Sequence, residues 1–493
     1  MNKEVRKLEP QIVWNNFADL NAVPRPSKKE EKVIAFIRQF AERFNLKYDV
    51  DKVGNMVLRK PATKGMENKR PVILQAHLDM VHQKNADTDF DFDTQGISMQ
   101  IEGEWVTAQG TTLGADNGMG VAAAMSVLES KEVAHPELEV LFTIDEEAGM
   151  TGVHNLQPGF LQGEILINLD TEDDDELSVG CAGGVDTTVE WSYPETFAAE
   201  NSMGIELMVK GLKGGHSGMD IIFGRGNANK IMNRMLRKVA QDYGAQLHSI
   251  DGGGLRNAIP RESKAILAVS REAWPQLQKH WQELSAQLQD EFATTDPGLQ
   301  ITFAETQTPE KVMEQEAQQQ LVWALQCCHD GIRRLSPDVD NLVETSNNLA
   351  RVQVGAGQGL FLNLQRSDRE SAKWDIAHSI AAPFELIGAK VEQGGSYPGW
   401  KLDPQAPMLG MMKDLYEELF NESPKVIACH AGLECGLISE HYPNLEMISF
   451  GPTIQHPHSP DERVHIGSVA KFWNYLQAAL QRIPEKKKAA VSQ

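Results

Sequence analysis

The chain has few cysteines, and those it has form no recognisable pattern. Cys181, Cys327, Cys328, Cys429 and Cys435 are the five cysteines among 493 residues, and none lies in a CxxC pair. This odd, scattered set argues against a disulfide framework or a cysteine-ligated zinc site and indicates a reduced, cytoplasmic protein. No stretch approaches the roughly 20 apolar residues of a membrane helix. The charged first ten residues also lack the apolar core of a secretory signal.

Positive charge is scarce as well. Lysine and arginine total 47 residues against 69 aspartates and glutamates, which gives a net charge of -22. This balance argues against a nucleic acid or an anionic membrane as a partner. It suits equally a soluble enzyme or a protein whose acidic residues hold cations, so charge alone does not separate those two classes.

The length and the hydrophobic pattern predict two domains. A chain of 493 residues exceeds what one ordinary core accommodates. Up to about residue 180, apolar strands alternate with helices, which is typical of an α/β layer with a mostly parallel sheet. The first helix is predicted from Ser27 to Asn45, with Ser27 and Glu30 as a capping box. A second, alanine-rich helix is predicted over Val121 to Leu128.

The pattern changes after Gly183-Gly184 and changes back after Pro398. Between these points strands and helices follow one another as in an α+β fold, with polar loops between them. We therefore predict one α/β domain in two parts, residues 1–184 and 399–493, interrupted by an inserted α+β domain, residues 185–398. Gly355 to Gly359 lies between two strand-like runs and predicts a hairpin turn rather than a nucleotide loop.

Histidine and acidic residues collect directly after the predicted strands or in adjoining loops. In open α/β sheets, ligands bind beyond the carboxyl ends of the strands. The five clusters are His77-Leu78-Asp79, Gly114-Ala115-Asp116-Asn117-Gly118, Asp145-Glu146-Glu147, Asn168-Leu169-Asp170, and the segment from His456 to Glu462.

Each cluster taken alone has an ordinary alternative reading. His77 and Asp79 project to the same side of an extended chain, so the carboxylate can orient a metal-binding imidazole, but polar strand ends are common. Asp116 precedes a helical run, where an aspartate often serves only as an N-cap. Its flanking glycines allow close backbone approach to a bound group.

The remaining clusters leave choices open. Adjacent glutamates such as Glu146 and Glu147 are usually solvated, yet one can bind a metal while the other transfers protons. Either His456 or His458 is a candidate ligand, and a solvated loop is the alternative. Two histidines with several carboxylates suit a pair of zinc ions better than one structural zinc, which would favour cysteines.

Six segments in fixed order carry a family resemblance: HLDM, GADNG, DEEAG, NLD, GGHSG and HSPDE. Together they resemble the zinc exopeptidase family that contains carboxypeptidase G, aminoacylase and carnosinase, over nearly the whole chain. The resemblance implies an α/β catalytic domain with a mostly parallel central sheet, interrupted by an inserted α+β lid domain. It also implies metal-dependent hydrolysis of dipeptides, including Xaa-His dipeptides.

The resemblance implies a ligand set for two divalent ions, with zinc expected and manganese or cobalt as alternatives. Asp116 would bridge both ions. His77 and Asp170 would complete one site, and Glu147 and His458 would complete the other. His458 is preferred to His456 because it begins the HSPDE segment.

The same resemblance implies the catalytic and substrate-binding roles. Asp79 would orient His77, Glu146 would be the general base, and His216 would stabilise the reacting carbonyl oxygen. Two further residues would bind the substrate carboxylate, Asn257 and Arg366, and an arginine suits this role because its guanidinium binds a carboxylate through two hydrogen bonds. Glu434 is the candidate to receive the free amine of the substrate.

Two other functions compete with this prediction. The first is a sibling activity on the same metal centre, as an aminoacylase, carboxypeptidase or tripeptidase, although the long insert from Val185 to Gly395 favours a dipeptidase. The second is a metal-dependent peptide-binding protein, against which Glu146 argues because a binder needs no base. Dipeptides are the expected partners, and the resemblance favours a homodimer, although a doubled lid could supply His216 within one chain.

Overall fold

The structure of the protein, a computed structural model, describes residues 2–337, 339, 341–401, 403 and 405–486. The chain forms two compact units. The first unit comprises Met1–Gly180, Leu402–Ala428 and Glu434–Gln493, and the second comprises Cys181–Lys401 and Cys429–Leu433. The segment Cys429–Leu433 thus belongs to the second unit although it lies within the predicted third part of the chain.

The first unit contains helices on a long mixed sheet. Its helices are Gln11–Leu20, Glu31–Arg43, Ala115–Glu129, Glu146–Gly149, Thr151–His154, Pro407–Phe420, Glu434–His441 and Ile466–Arg482, with a 3-10 turn at Val5–Lys7. A small four-stranded sheet consists of Ile454–Gln455, Arg463–His465, Trp105–Ala108 and Met99–Glu102.

The main sheet of this unit has eight strands. In spatial order they are Lys47–Val50, Met56–Lys60, Leu138–Thr143, Val72–His77, Ile165–Asn168, Glu446–Ser449, Glu176–Cys181 and Lys425–Cys429. The four strands from Leu138–Thr143 to Glu446–Ser449 run parallel to one another. The strands on either side of these four pair antiparallel with them. The predicted α/β class with a mostly parallel central sheet is confirmed.

Burial explains why these central strands read as continuous apolar runs in the sequence. Every residue of Val72–His77, Leu138–Thr143 and Ile165–Asn168 is buried. Parallel strands covered on both faces need apolar side chains on both sides. Because their carboxyl ends meet at one edge of the sheet, the polar residues that follow them are brought close together.

The predicted capping box of the helix that follows Pro26 is wrong. The helix spans Glu31–Arg43 and has no side-chain cap. Instead, the Ser27 hydroxyl donates to a carboxylate oxygen of Asp79 at 2.8 Å. A Glu30 oxygen accepts the backbone N–H groups of Lys28 and Asp145. Partners distant in sequence took the place of the local pairing that the motif suggests.

The second unit is built on a nine-stranded antiparallel sheet. Eight strands follow in the order Gln300–Thr306, Ser202–Lys210, Ser263–Ser270, Gln246–Gly253, Val343–Gly355, Gln358–Ser367, Gly183–Ser192 and Lys390–Tyr397, and Gly331–Leu335 pairs with Val343–Gly355. The short strands are Glu195–Phe197, Lys311–Met313, Gly215–His216 and Ala258–Ile259. The hairpin predicted at Gly355 to Gly359 is confirmed.

Helices cover the apolar core of this second sheet. They are Ala228–Leu236, Val239–Tyr243, Trp274–Glu291, Gln315–Cys327 and Glu370–Leu386, with a 3-10 turn at Ile221–Phe223. The core includes the buried rings of Trp281, Phe361 and Phe384. Within the residues described for both units, no helix is long and apolar enough to cross a membrane.

Candidate metal centre

His77 is the last residue of the strand Val72–His77, and Asp79 lies two residues further along the chain. Nδ1 of His77 lies 3.3 Å from Oδ1 of Asp79, and both side chains are buried. A carboxylate in this position fixes the orientation of an imidazole. Nε2 of His77 is thereby directed towards the other acidic residues.

Asp116 lies between the two candidate histidine ligands. Its Oδ1 is 3.2 Å from Nε2 of His77, and its Oδ2 is 3.1 Å from Nε2 of His458. Asp116 is not an N-cap, because Gly114 occupies that position and the φ and ψ of Asp116, -75° and 116°, are not helical. One carboxylate therefore presents each of its oxygens to a different imidazole.

Two further carboxylates complete two separate groups of ligand atoms. Oδ1 of Asp170 lies 3.5 Å from Nε2 of His77, and Oε2 of Glu147 lies 2.9 Å from Nε2 of His458. Within each group the candidate ligand atoms all lie within 4.8 Å of one another. Ligands about 2.1 Å from a tetrahedral ion would be about 3.4 Å apart. The observed separations therefore suit one ion in each group.

The charges of the cluster also fit bound cations. Burial, with the nearby charge of Asp116, raises the pKa of Glu147 to about 7 and that of Asp170 to about 6. Hydrogen bonds to Asp116 and Glu147 raise the pKa of His458 to about 11. The buried Oε1 of Glu147 has no hydrogen-bond partner. Divalent ions would favour ionised carboxylates and neutral imidazoles, so the residues present fit a two-metal site.

Glu146 and Glu147 are held by Asp79 through their backbone. The N–H of Glu146 donates to Oδ1 of Asp79 at 3.0 Å, and the N–H of Glu147 donates to Oδ2 at 3.2 Å. Burial, opposed by His77 and reinforced by Glu147, raises the pKa of Glu146 well above its ordinary value. A carboxylate with a raised pKa is suited to carry a proton near neutral pH.

The two glutamates differ in what they contact. Both belong to a group of candidate ligands with His77. Glu147 also contacts His458 and belongs with it to the group around Asp116. The geometry therefore favours Glu147 as the ligand and leaves Glu146 as the candidate base.

Glu434 lies in the first unit, at the start of the helix Glu434–His441. Its Oε2 accepts hydrogen bonds from Nε2 of Gln75 at 2.6 Å and Oγ1 of Thr143 at 2.7 Å. Its Oε1 is buried and has no hydrogen-bond partner. Burial, opposed by His77, raises the pKa of Glu434 to about 8. A cationic amine beside this carboxylate would stabilise its ionised form.

His216 and Asn257 are brought together in the second unit. The strand Gly215–His216 pairs with Ala258–Ile259, and the N–H of Ser217 donates to the carbonyl of Asn257 at 2.7 Å. Nδ1 of His216 accepts the N–H groups of Gly218 and Met219, at 3.2 and 3.1 Å. A neutral His216 therefore carries its proton on Nε2, where it can donate to an oxygen.

Arg366 is buried, 4% exposed, in the strand Gln358–Ser367 of the second unit. Its Nη1 donates to the hydroxyl of Tyr397 at 2.8 Å, and its buried Nε has no hydrogen-bond partner. Nε2 of the nearby His430 lies 2.8 Å from Oγ of Ser346. Burial, with the charges of Arg366 and His216, lowers the pKa of His430 to about 3.

The sequence-predicted residues thus fall into two sets. The first unit holds His77, Asp79, Asp116, Glu146, Glu147, Asp170, Glu434 and His458, and the second unit holds His216, Asn257 and Arg366. His456, the other candidate of its loop, lines a different cavity together with Asp461 and Arg463.

Sequence reasoning missed several residues around the metal centre. Gln75 and Thr143 form a buried hydrogen-bonded network with Glu434 and with Asn168 of the predicted Asp170 cluster. Both could have been identified from the sequence, because each is a polar residue in a strand that is mostly apolar. In the acidic run after Asp170, Asp174 and Asp175 form ion pairs with Lys471 and Lys425.

Comparisons with known proteins show which family the chain resembles. The profile of the family described as "Peptidase family M20/M25/M40" matches residues 73–482. The cytosol non-specific dipeptidase of Escherichia coli (strain K12) is 41% identical over 483 residues, 98% of this chain and 100% of that protein. The crystal structure of aminoacylhistidine dipeptidase from Vibrio alginolyticus matches with a TM-score of 0.91 and 43% identity, covering 98% and 99% of the two chains.

A more distant solved structure shares the fold. Aminopeptidase PepT from Bacillus cereus is 14% identical and matches with a TM-score of 0.56, covering 97% of this chain and 99% of its own. At this identity the likeness concerns the arrangement of helices and strands alone. The same architecture therefore extends well beyond the relatives of high identity.

Proposed function

The chain belongs to peptidase family M20/M25/M40, and from this membership we propose that it hydrolyses dipeptides, including Xaa-His dipeptides, with two divalent metal ions. Two relatives above 40% identity over nearly the whole chain are both named dipeptidases, which supports the substrate class. Zinc is the expected ion because imidazole and carboxylate ligands suit it, and manganese or cobalt are the alternatives.

One observation carries the proposal. The two oxygens of Asp116 contact two different imidazoles, those of His77 and His458, at 3.2 and 3.1 Å. Asp116 would therefore help to hold both ions, with His77 and Asp170 in one group and Glu147 and His458 in the other. When bound, such a pair of ions polarises the scissile carbonyl and lowers the pKa of the attacking water.

The residues of the chain supply the proton transfers. Glu146 accepts a proton from the attacking water at a carboxylate oxygen and returns it to the nitrogen of the leaving amine. Asp79 holds the imidazole of His77 and the backbone of Glu146 at the same time. The base is therefore fixed relative to one of the metal ligands.

The substrate-binding roles form part of the proposal. His216 donates from Nε2 to the carbonyl oxygen as negative charge develops on it. Arg366 and Asn257 bind the substrate carboxylate, a role supported by the buried, unpartnered Nε of Arg366. Glu434 binds the free amine, a role supported by its buried Oε1.

The proposal also covers the domain arrangement, the cellular location and the assembly of the protein. Residues 185–398 are proposed as the inserted lid domain between two parts of a catalytic domain, residues 1–184 and 399–493. The cytoplasm is the proposed location, supported by the name of the relative from Escherichia coli. A homodimer is the proposed assembly, and light scattering measures it directly.

A substrate panel tests the function. Xaa-His dipeptides, other dipeptides, tripeptides and N-acyl amino acids are assayed side by side, with and without a chelator. We expect turnover of dipeptides that the chelator abolishes and that added zinc restores. Faster turnover of N-acyl amino acids or tripeptides would reassign the substrate class within the family. Binding of dipeptides without turnover would favour the peptide-binding alternative.

A further inference from the structure

Arg25 is a buried cation behind the metal centre, 1% exposed. Its Nη1 donates to the carbonyls of Leu78 and Asp79, at 3.2 and 2.9 Å. Its Nη2 donates to the carbonyl of Gly114 and to the side chain of Asn21. Arg25 therefore connects the strand end that carries His77 to the loop that carries Asp116.

Glu462 binds the same loop through the backbone N–H groups of the loop. Its Oε2 accepts from the backbone of Leu113 and Gly114, at 2.7 and 2.9 Å. Its Oε1 accepts from Ala115 and Asp116, at 2.7 and 3.2 Å. This carboxylate is 2% exposed and stands four residues after His458 in the chain. Glu462 therefore connects the loop of His458 to that of Asp116.

The glycines beside Asp116 make room for the guanidinium. A Cβ added at Gly114 or at Gly118 would lie 2.6 Å from Nη2 of Arg25. Gly114 also has a φ of +69°, which residues other than glycine rarely adopt. The sequence suggested that these glycines admit a bound group, but the group they admit is a side chain of the protein itself.

We propose that Arg25 and Glu462 are positioning residues that fix Asp116 between His77 and His458 and thereby set the metal affinity of the centre. The inference rests on the proposed two-metal function. Arg25 binds a backbone carbonyl of the Asp116 loop, and Glu462 binds backbone N–H groups of the same loop. Together they hold the backbone that carries the Asp116 carboxylate in one conformation. Residues that hold metal ligands in this way are worth about 10–100-fold in affinity.

The chain offers a matched control for a purely structural role. Glu139 is 4% exposed, and its Oε2 accepts the backbone N–H groups of Gln162 and Gly163, at 2.7 and 2.9 Å. It lies near the start of the strand Leu138–Thr143, whereas the metal centre lies beyond the end of that strand. Glu139→Gln therefore removes a buried backbone-binding carboxylate without touching the Asp116 loop.

The test compares Glu462→Gln with Glu139→Gln. In Glu462→Gln, the side-chain NH2 group faces two of the four backbone N–H donors and cannot accept from them. The variant therefore loses half of the hydrogen bonds that Glu462 makes to the loop. Zinc affinity is measured by competition with a chromogenic chelator, and stability by thermal unfolding of the metal-free protein.

We expect Glu462→Gln to weaken zinc binding by about 10–100-fold, while Glu139→Gln lowers stability alone. At saturating zinc, KM for a dipeptide is unchanged in both. Wild-type zinc affinity in Glu462→Gln would overturn the proposal.

Hydrogen exchange on the unaltered protein provides a second test that does not depend on the folding of a variant. We expect the amides of residues 113–116 to be protected before metal is added, because Glu462 already binds them. Rapid exchange of these amides in the metal-free protein would overturn the proposal. Failure of the proposed function is a separate result: the wild-type protein would bind fewer than two ions or would not hydrolyse dipeptides.

Discussion

The two units carry polar clusters of opposite character. In the first unit, burial raises the pKa of Glu147 to about 7 and that of Glu434 to about 8. A cation beside these carboxylates would stabilise their ionised forms. In the second unit, burial and Arg366 lower the pKa of His430 to about 3, which keeps that imidazole neutral beside a buried guanidinium. The first cluster suits cations, and the second suits an anion.

The two clusters also differ in where the fold places them. The acidic cluster follows the ends of parallel strands, where several loops meet. The cationic cluster lies on an antiparallel sheet, where Arg366 projects from one strand and Tyr397 from the end of another. The contrast predicts that substitution of Asp116 or Glu146 changes metal content or kcat, whereas substitution of Arg366 changes KM.

The largest effect is expected from Asp116→Ala. Loss of the shared carboxylate removes a ligand from both groups, so metal content falls and kcat/KM falls beyond the roughly 10⁴-fold that a general base contributes. Elemental analysis and dipeptide assays measure the two changes. Asp87→Ala, at an exposed position, is the control with normal metal content. Two bound ions in Asp116→Ala would contradict the bridging role.

Glu146→Ala should separate chemistry from metal binding. We expect kcat to fall by about 10²–10⁴-fold, because the proton acceptor is lost, while metal content stays at the wild-type value. Turnover and metal content are measured on the same preparation. Loss of metal with substantial residual turnover would instead make Glu146 a ligand.

Arg366→Ala should act on binding. Loss of a charged hydrogen bond of about 1.5–3 kcal/mol raises KM for dipeptides by about 10–100-fold with a smaller change in kcat. Tyr397→Phe removes only the hydroxyl that accepts from Nη1 of Arg366, so its KM should rise by less than about 10-fold. An unchanged KM in Arg366→Ala would remove this arginine from the substrate site.

The smallest effect concerns stability against pH. The pKa of His430 is about 3 in the folded protein against an ordinary 6.5, so between these values only the unfolded chain binds the proton. Stability therefore falls as pH decreases through this range, by about 2 kcal/mol from this residue at pH 5. When the pH is lowered from 7 to 5, the free energy of unfolding of His430→Gln, measured in urea, should fall by about 2 kcal/mol less than that of the wild type. Equal losses would contradict the shifted pKa.

Much of the first unit could be predicted from its sequence. The strands at Val72–His77 and Leu138–Thr143 are continuous apolar runs, and burial on both faces requires that pattern. The roles of individual ligands came from the family resemblance, because no local rule separates Glu146 from Glu147 or His456 from His458. Among members of that family, the six ordered segments most resemble bacterial aminoacyl-histidine dipeptidase (peptidase D), and the comparisons confirm this.

The supporting residues could not be predicted because their partners are distant in sequence. Arg25 and Gly114 are 89 residues apart, and Glu462 and Asp116 are 346 residues apart. Ser27 shows the same effect, since its hydroxyl binds Asp79 rather than the helix it precedes. Local patterns identify which residues are unusual, whereas only the fold determines which of them meet.

Asp79 has one further consequence. Its two oxygens contact the His77 ring and the backbone N–H groups of Glu146 and Glu147, so a single carboxylate connects two candidate metal ligands and the proposed base. Substitutions at Asp79 and at Glu146 therefore act on one shared unit, and their energetic penalties should not sum in the double variant.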